Sequence, residues 1–315
     1  VALTLYRCAA PPAFASARPA PPAVLLYLLG ERGPTMGRGV FEFAEEGDVG
    51  DVFIVGEATA TPPPRLSGAL HARACIEESS ATHHLRWADV PLTAAGSHYS
   101  GRWCMQKLEL LRHLPPDITH AVLLDADTYV LPGGIRLLGE ELNALTPTQF
   151  LAAPRTDARD AWTMRNGTSV LGVPRRSEGI NSGMLAVHLP RMRAFESAFC
   201  PGSPWWRCVL DEQPKGYNHI GGDQAMWNAL LVTRPEVWRP LPCGTHLSID
   251  TMRETVRRIA QDAGVAPCTP RRHAGHSVGA GQILSVALRR SGDDCLVAVA
   301  MNDARFGAVP RAARA

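Results

Sequence analysis

The feature that most restricts this chain is the run Ala121-Val122-Leu123-Leu124, apolar at every position and halted by Asp125-Ala126-Asp127. A run this short, without alternation, reads as a strand buried on both faces; a strand with one wet face would alternate. Such strands belong to sheets covered by helices, which commits the chain to the α/β class. The flanking pattern agrees. Trp103, Met105, Leu108, Leu110 and Leu111 form a helical stripe across residues 101 to 113, ended by Pro115-Pro116. Helix-length segments follow at Ile135–Leu145, Arg191–Phe199 and Asp223–Val232, the last preceded by Gly221-Gly222. Val24–Leu29 and Asp51–Val55 are further strand candidates, and Ile283–Leu288 is a last apolar stretch. This alternation predicts a mostly parallel, Rossmann-like sheet with helices on both faces.

A chain of 315 residues can bury a substantial core as one large α/β domain or two smaller ones. One domain over 1–315 is expected, with residues 1–70 its least defined part: residues 9 to 23 are rich in Ala and Pro, and three prolines stand between Thr61 and Arg65. A net charge of +2, with no run of five like charges, speaks against a dedicated nucleic-acid binder or a polybasic membrane tail. The chain opens on Val1, as a fragment or processed product would, and Val24–Leu29 is far short of the ~20 residues a spanning helix needs. Any membrane anchor is therefore expected outside this sequence. Eight cysteines do not make a disulfide scaffold at this length. Cys200 and Cys208 bracket a short Pro/Gly/Trp segment and suit either a bridge or two buried thiols. Asn166-Gly167-Thr168 is a glycosylation sequon in a secretory compartment.

The chemistry concentrates where the buried run stops. In open α/β sheets, ligands bind beyond the carboxyl ends of the strands, and there Asp125 and Asp127 set two carboxylates close together. Their mutual repulsion is relieved by a divalent cation, whose shell hard oxygens, substrate phosphates and water complete. A pair of surface turn residues is the plainer alternative. An EF-hand starting at Asp125 fails, because Val130 and Arg136 stand where its Gly and Glu belong. A haloacid-dehalogenase-like phosphatase with Asp125 as nucleophile is the competing enzyme class: Lys215 and Gly222-Asp223 imitate its later elements, but Tyr129 occupies its Thr position.

Further segments favour a different family. His98-Tyr99-Ser100-Gly101 leads to Lys107; Asn181-Ser182-Gly183-Met184-Leu185 follows Arg175-Arg176-Ser177-Glu178-Gly179; then comes Gly222-Asp223-Gln224-Ala225-Met226-Trp227-Asn228. Leu241-Pro242-Cys243 and Leu247-Ser248 come after them. In this order around Asp125-Ala126-Asp127, the set resembles glycosyltransferase family 8 over about residues 85–280, nearest its xylosyltransferase-type branch. The resemblance implies a GT-A nucleotide-diphospho-sugar transferase fold. It also implies a retaining transfer from a UDP-sugar (xylose, glucose or galactose type) to a glycan or glycoprotein acceptor, dependent on Mn2+ or Mg2+, in the Golgi or ER lumen. Carried onto this chain, Asp125 and Asp127 hold the metal, and Asp125, Ala126 and Asp127 border the donor. Lys107 reaches the donor's phosphates or sugar, Asn181, Ser182 and Gly183 line the sugar, and Asp223 and Gln224 sit at its reacting face. The third metal ligand falls to His276, with His273 as the alternative and His246 a lesser candidate. The pattern's nearby lysine is missing: Ala280 and Gly281 stand at its place, with Arg271 and Arg272 the nearest substitutes.

Overall fold

The structure is a computed structural model. It describes residues 3–11, 20–29, 40–41, 44–57, 65–78, 101–126, 128–130, 133–153, 155–156, 179–180, 182–212, 222–241, 246–248, 283–285 and 298–300. The strands are β1 (Leu3–Cys8), β2 (Ala23–Leu28), β3 (Val52–Glu57), β4 (Cys75–Glu77), β5 (His120–Leu124), β6 (Thr128–Val130) and β7 (Leu151–Ala153). They continue with β8 (Arg155–Thr156), β9 (Gly179–Ile180), β10 (Met184–His188), β11 (Trp238–Pro240), β12 (His246–Ser248), β13 (Ile283–Ser285) and β14 (Ala298–Ala300). The helices are α1 (Leu110–His113), α2 (Gly134–Asn143), α3 (Leu189–Phe199), α4 (Trp205–Glu212) and α5 (Gly222–Thr233).

Eight strands form one sheet in the order β11-β7-β10-β5-β2-β3-β1-β4. Taking β2 as reference, β3, β5, β4, β7 and β11 run with it, and β1 and β10 run against it. The sheet is thus mixed, with most strands in one direction, an arrangement consistent with a GT-A α/β fold. The buried run at 121–124 lies in β5, which begins one residue earlier at His120. The opening residues, expected to be poorly defined, supply β1, β2 and β3 to the sheet. Strand β1 was not anticipated, and neither was the reversal of β10.

Alternation along each strand feeds two cores. Leu25, Phe53, Leu123 and Leu185 face the side covered by α1, α3, α4 and α5, where Trp205, Trp206 and Trp227 are buried. Val24, Ile54, Val122 and Ala186 face α2, whose Ile135, Leu138 and Leu142 lie one helical turn apart. Helices on both faces explain why these strands read as unbroken apolar runs. The stripe at 101–113 is not one α-helix: Gly101–Glu109 winds as a 3-10 segment that passes into α1. Disulfides join Cys8 to Cys75 across the β1–β4 pair and Cys200 to Cys208 between α3 and α4. The open choice at Cys200 and Cys208 therefore resolves as a bridge. Among the described residues, no helix is long and apolar enough to cross a membrane.

Candidate active site

Strand β2 pairs in parallel with β3 on one side and β5 on the other. The chain reverses its direction of sheet building there, and the crevice outside such a switch point is where open α/β sheets take ligands. Asp125 follows β5 at this edge. Its backbone N–H donates to the Gly183 carbonyl at 2.8 Å, continuing the β5–β10 ladder one step past Leu124 and Met184. Thr128 N–H donates back to the Asp125 carbonyl at 3.0 Å, so the chain turns sharply through Ala126. Because β10 is antiparallel to β5, the segment entering β10, Ser182-Gly183, arrives at the same edge.

Strand periodicity decides where the acid points. Leu124 faces α2 and Leu123 the opposite core, so Asp125 projects with Leu123, toward the 3-10 segment and α5. There it meets Lys107, whose Nζ lies 2.5 Å from Asp125 Oδ1 and 3.3 Å from Asp223 Oδ2. The same ammonium donates to the Ser182 carbonyl at 3.4 Å. Lys107 and Asp223 are buried, with side chains 8% and 5% exposed, whereas Asp125 is 36% exposed and opens to solvent. Burial alone would drive the proton off Lys107, but the charges of Asp125 and then Asp223 outweigh it and hold its pKa above the ordinary lysine value. The ammonium is thus permanently charged.

Asp223 reaches the site through a backbone device. Gly222 has φ +62°, a left-handed conformation that a side chain would resist, and the chain then turns directly into α5. Asp223 falls in the first turn of α5, where unpaired helix N–H groups favour a carboxylate. Gln224, next in the helix, accepts through Oε1 from Ser182 N–H at 3.3 Å. One turn on, Asn228 is fully buried; its side-chain carbonyl accepts from Ile180 N–H at 2.7 Å and its Nδ2 donates to the Ile180 carbonyl at 3.2 Å. Asn228 therefore pins the strand that leads into residues 181–183. It was quoted with the helix motif but given no task; an amide one turn after Gln224, between Trp227 and Ala229, was the available signal.

Cys104, three residues before Lys107 and so on the same side of a 3-10 turn, is a buried thiol outside any disulfide, beside Asp223. Burial, then the Asp223 charge, pushes its pKa up to about 12, so it stays protonated. Beneath the site, Tyr27 at the end of β2 shares a 2.8 Å hydrogen bond with His113, and Trp206 Nε1 donates to Glu109 at 2.8 Å.

Lys107, Asp125, Ser182, Gly183, Asp223 and Gln224 are thus brought together, and Ala126 forms the turn beside them. Lys107, expected to reach the donor's phosphates or sugar, has its ammonium paired in this structure with Asp125 and Asp223. Asp127, Asn181, His273 and His276 lie outside the described residues, as do Lys215 and the Asn166 sequon; His246 opens β12. Among the described residues no group of three or more His, Cys, Asp and Glu could hold a metal. What is described does fit a hard cation: one open carboxylate at the sheet edge, and two acids against one ammonium, leaving negative charge in excess.

No protein-family model and no curated protein matches this sequence. Solved structures to which it is similar include mouse xyloside xylosyltransferase 1 in its apo form, at 17% identity over 71% of this chain and 86% of that one, TM-score 0.44. The apo bifunctional glycosyltransferase WbbM is similar at 15% identity over 73% of this chain and 40% of that one, TM-score 0.42. The galactosyltransferase LgtC, in complex with donor and acceptor sugar analogs, is similar at 11% identity over 66% and 70%, TM-score 0.36. These neighbours are glycosyltransferases; function is read below from the site's own residues.

Proposed function

We propose that this chain is a retaining glycosyltransferase of family 8 that moves a sugar from a UDP-sugar to a glycan or glycoprotein acceptor. The observation that carries the proposal is the convergence, beside the β2/β5 switch point, of Lys107, Asp125, Ser182-Gly183 and Asp223-Gln224 from four separate segments. Asp125, with Asp127 and His276 (or His273), would hold Mn2+ or Mg2+. When bound, the ion neutralises charge building on the departing diphosphate.

The chain's own residues supply the rest. The donor's diphosphate would lie over Asp125, and Asn181, Ser182 and Gly183 would border the sugar; Gln224 holds the Ser182 backbone and Asn228 that of Ile180. The bond between the anomeric carbon and the UDP oxygen breaks, the acceptor oxygen bonds to that carbon, and the acceptor's proton passes to the departing phosphate oxygen. Asp223 is buried and paired with Lys107, a poor position for a covalent nucleophile, which favours attack from the face that UDP leaves. Asp223 and Gln224 then act by setting the polarity and geometry of that face. Two disulfides favour an oxidising compartment such as the Golgi or ER lumen.

The test is UDP release from UDP-xylose, UDP-glucose and UDP-galactose with Mn2+. One donor should turn over, and Asp223→Asn should slow it by about a hundredfold or more. Release of phosphate from p-nitrophenyl phosphate, without any UDP-sugar, would instead favour Asp125 as a phosphatase nucleophile.

A further inference from the structure

The ammonium of Lys107 is ion-paired with Asp125 Oδ1 and, at 3.3 Å, with Asp223 Oδ2, and donates to the Ser182 carbonyl. The contact with Asp125 is the shortest at 2.5 Å, and Asp125 is also the one open to solvent. The acid best placed to receive a divalent ion is therefore already neutralised from behind by a cation of this chain. A dication on the same carboxylate would sit within a few ångströms of the ammonium. Buried on the protein side, that repulsion is poorly screened.

We propose that Lys107 is an internal counter-cation that competes with the divalent ion for Asp125, and that the donor's diphosphate relieves the competition by drawing the ammonium toward its own negative charge. The inference rests on the proposed sugar-nucleotide site and adds a coupling to it. Without nucleotide, the ion binds weakly because Lys107 opposes it. With nucleotide, the ammonium gains phosphate oxygens and Asp125 is released, which adds to the direct attraction of ion and diphosphate; each ligand strengthens the other by the same factor. The flexible lysine stem permits such a move, and a 3-10 segment of nine residues is a winding that readily changes. Metal loading in the absence of donor is thereby suppressed by the protein itself.

The test titrates Mn2+ into the full chain by calorimetry and by loss of the free-ion paramagnetic signal, with and without saturating UDP. Lys107→Met should bind Mn2+ about tenfold more tightly than the natural chain without UDP, and UDP should strengthen its Mn2+ binding by a smaller factor than in the natural chain. Equal or weaker Mn2+ binding by Lys107→Met without UDP overturns the inference. Because that variant leaves two acids uncompensated, Lys107→Met/Asp223→Asn is measured beside it. It keeps Asp125 without a resident cation, should fold as judged by its melting curve, and must show the same tightening. If the natural chain binds no Mn2+ even with UDP, the proposed function fails as well. If it binds Mn2+ with UDP but the Lys107 variants bind no tighter without it, only the counter-cation role is lost.

Discussion

Replacing Asn228 by Ala should damage both the stability of this protein and its proposed donor site. Asn228 is fully buried in α5 and makes two hydrogen bonds, 2.7 and 3.2 Å, to the N–H and C=O of Ile180, which is itself fully buried. Removing the amide strands both groups away from water, at roughly 1–3 kcal/mol each, so a total near 3 kcal/mol is expected. Gln224→Ala is the internal comparison: it removes one longer bond, 3.3 Å to Ser182 N–H, at a partly buried position, and should cost about 1 kcal/mol or less. Guanidinium unfolding of the two variants and the natural chain gives the difference directly. Because Ile180 leads into Asn181-Ser182, Asn228→Ala should also raise the donor KM more than it lowers kcat. If Asn228→Ala is no more destabilised than Gln224→Ala, the view that Asn228 anchors this segment is wrong.

The two disulfides close loops of very different length, with sequence separations of 67 for Cys8–Cys75 and 8 for Cys200–Cys208. On chain-entropy grounds, Cys8→Ser/Cys75→Ser should cost about 4.4 kcal/mol and Cys200→Ser/Cys208→Ser about 2.5, measured by guanidinium unfolding; the reverse order would contradict this. The cross-strand pair His120 and His188, with ring centroids 4.7 Å apart, sets a pH dependence. Burial, then the charge of Arg191, lowers both pKa values below the ordinary histidine value. The folded state therefore binds fewer protons than the unfolded one, so stability is complete above the unfolded histidine pKa and is lost as pH falls through it toward the folded values. His120→Gln should flatten the decline in melting temperature between about pH 7 and pH 5; an unchanged slope would refute that assignment.

The parts of the fold that announce themselves in sequence do so for physical reasons. Strand β5 is apolar throughout because helices cover both faces, and it ends where Asp125 must reach solvent. Helix α5 is marked by Gly222-Asp223 at its start, the glycine for its positive φ and the acid for the helix end. Strand β1 alternates poorly because Leu3 and Leu5 pack toward one core while Tyr6 and Cys8 pack into the α2-side core, so it has no wet face. The reversal of β10 is a matter of pairing, which no local pattern encodes. The stripe at 101–113 showed helix but not its winding, since apolar spacing alone does not separate a 3-10 segment from an α-helix over three turns. By resemblance Lys107 was expected at the donor's phosphates or sugar. Its inward pairing depends on the alternation that turns Asp125 toward it, a relation visible only once β5 and the 3-10 segment lie side by side.

Calorimetric titration of UDP into the full chain, with Mn2+ and then with the ion chelated, is the most direct examination of the edge built around Asp125. Heat of UDP uptake should be strong with Mn2+, weaken by at least about tenfold on chelation, and lose its dependence on the ion in Asp125→Asn. UDP bound equally well in all of these conditions, or in none of them, would mean that the acidic edge beside β5 does not serve a sugar nucleotide.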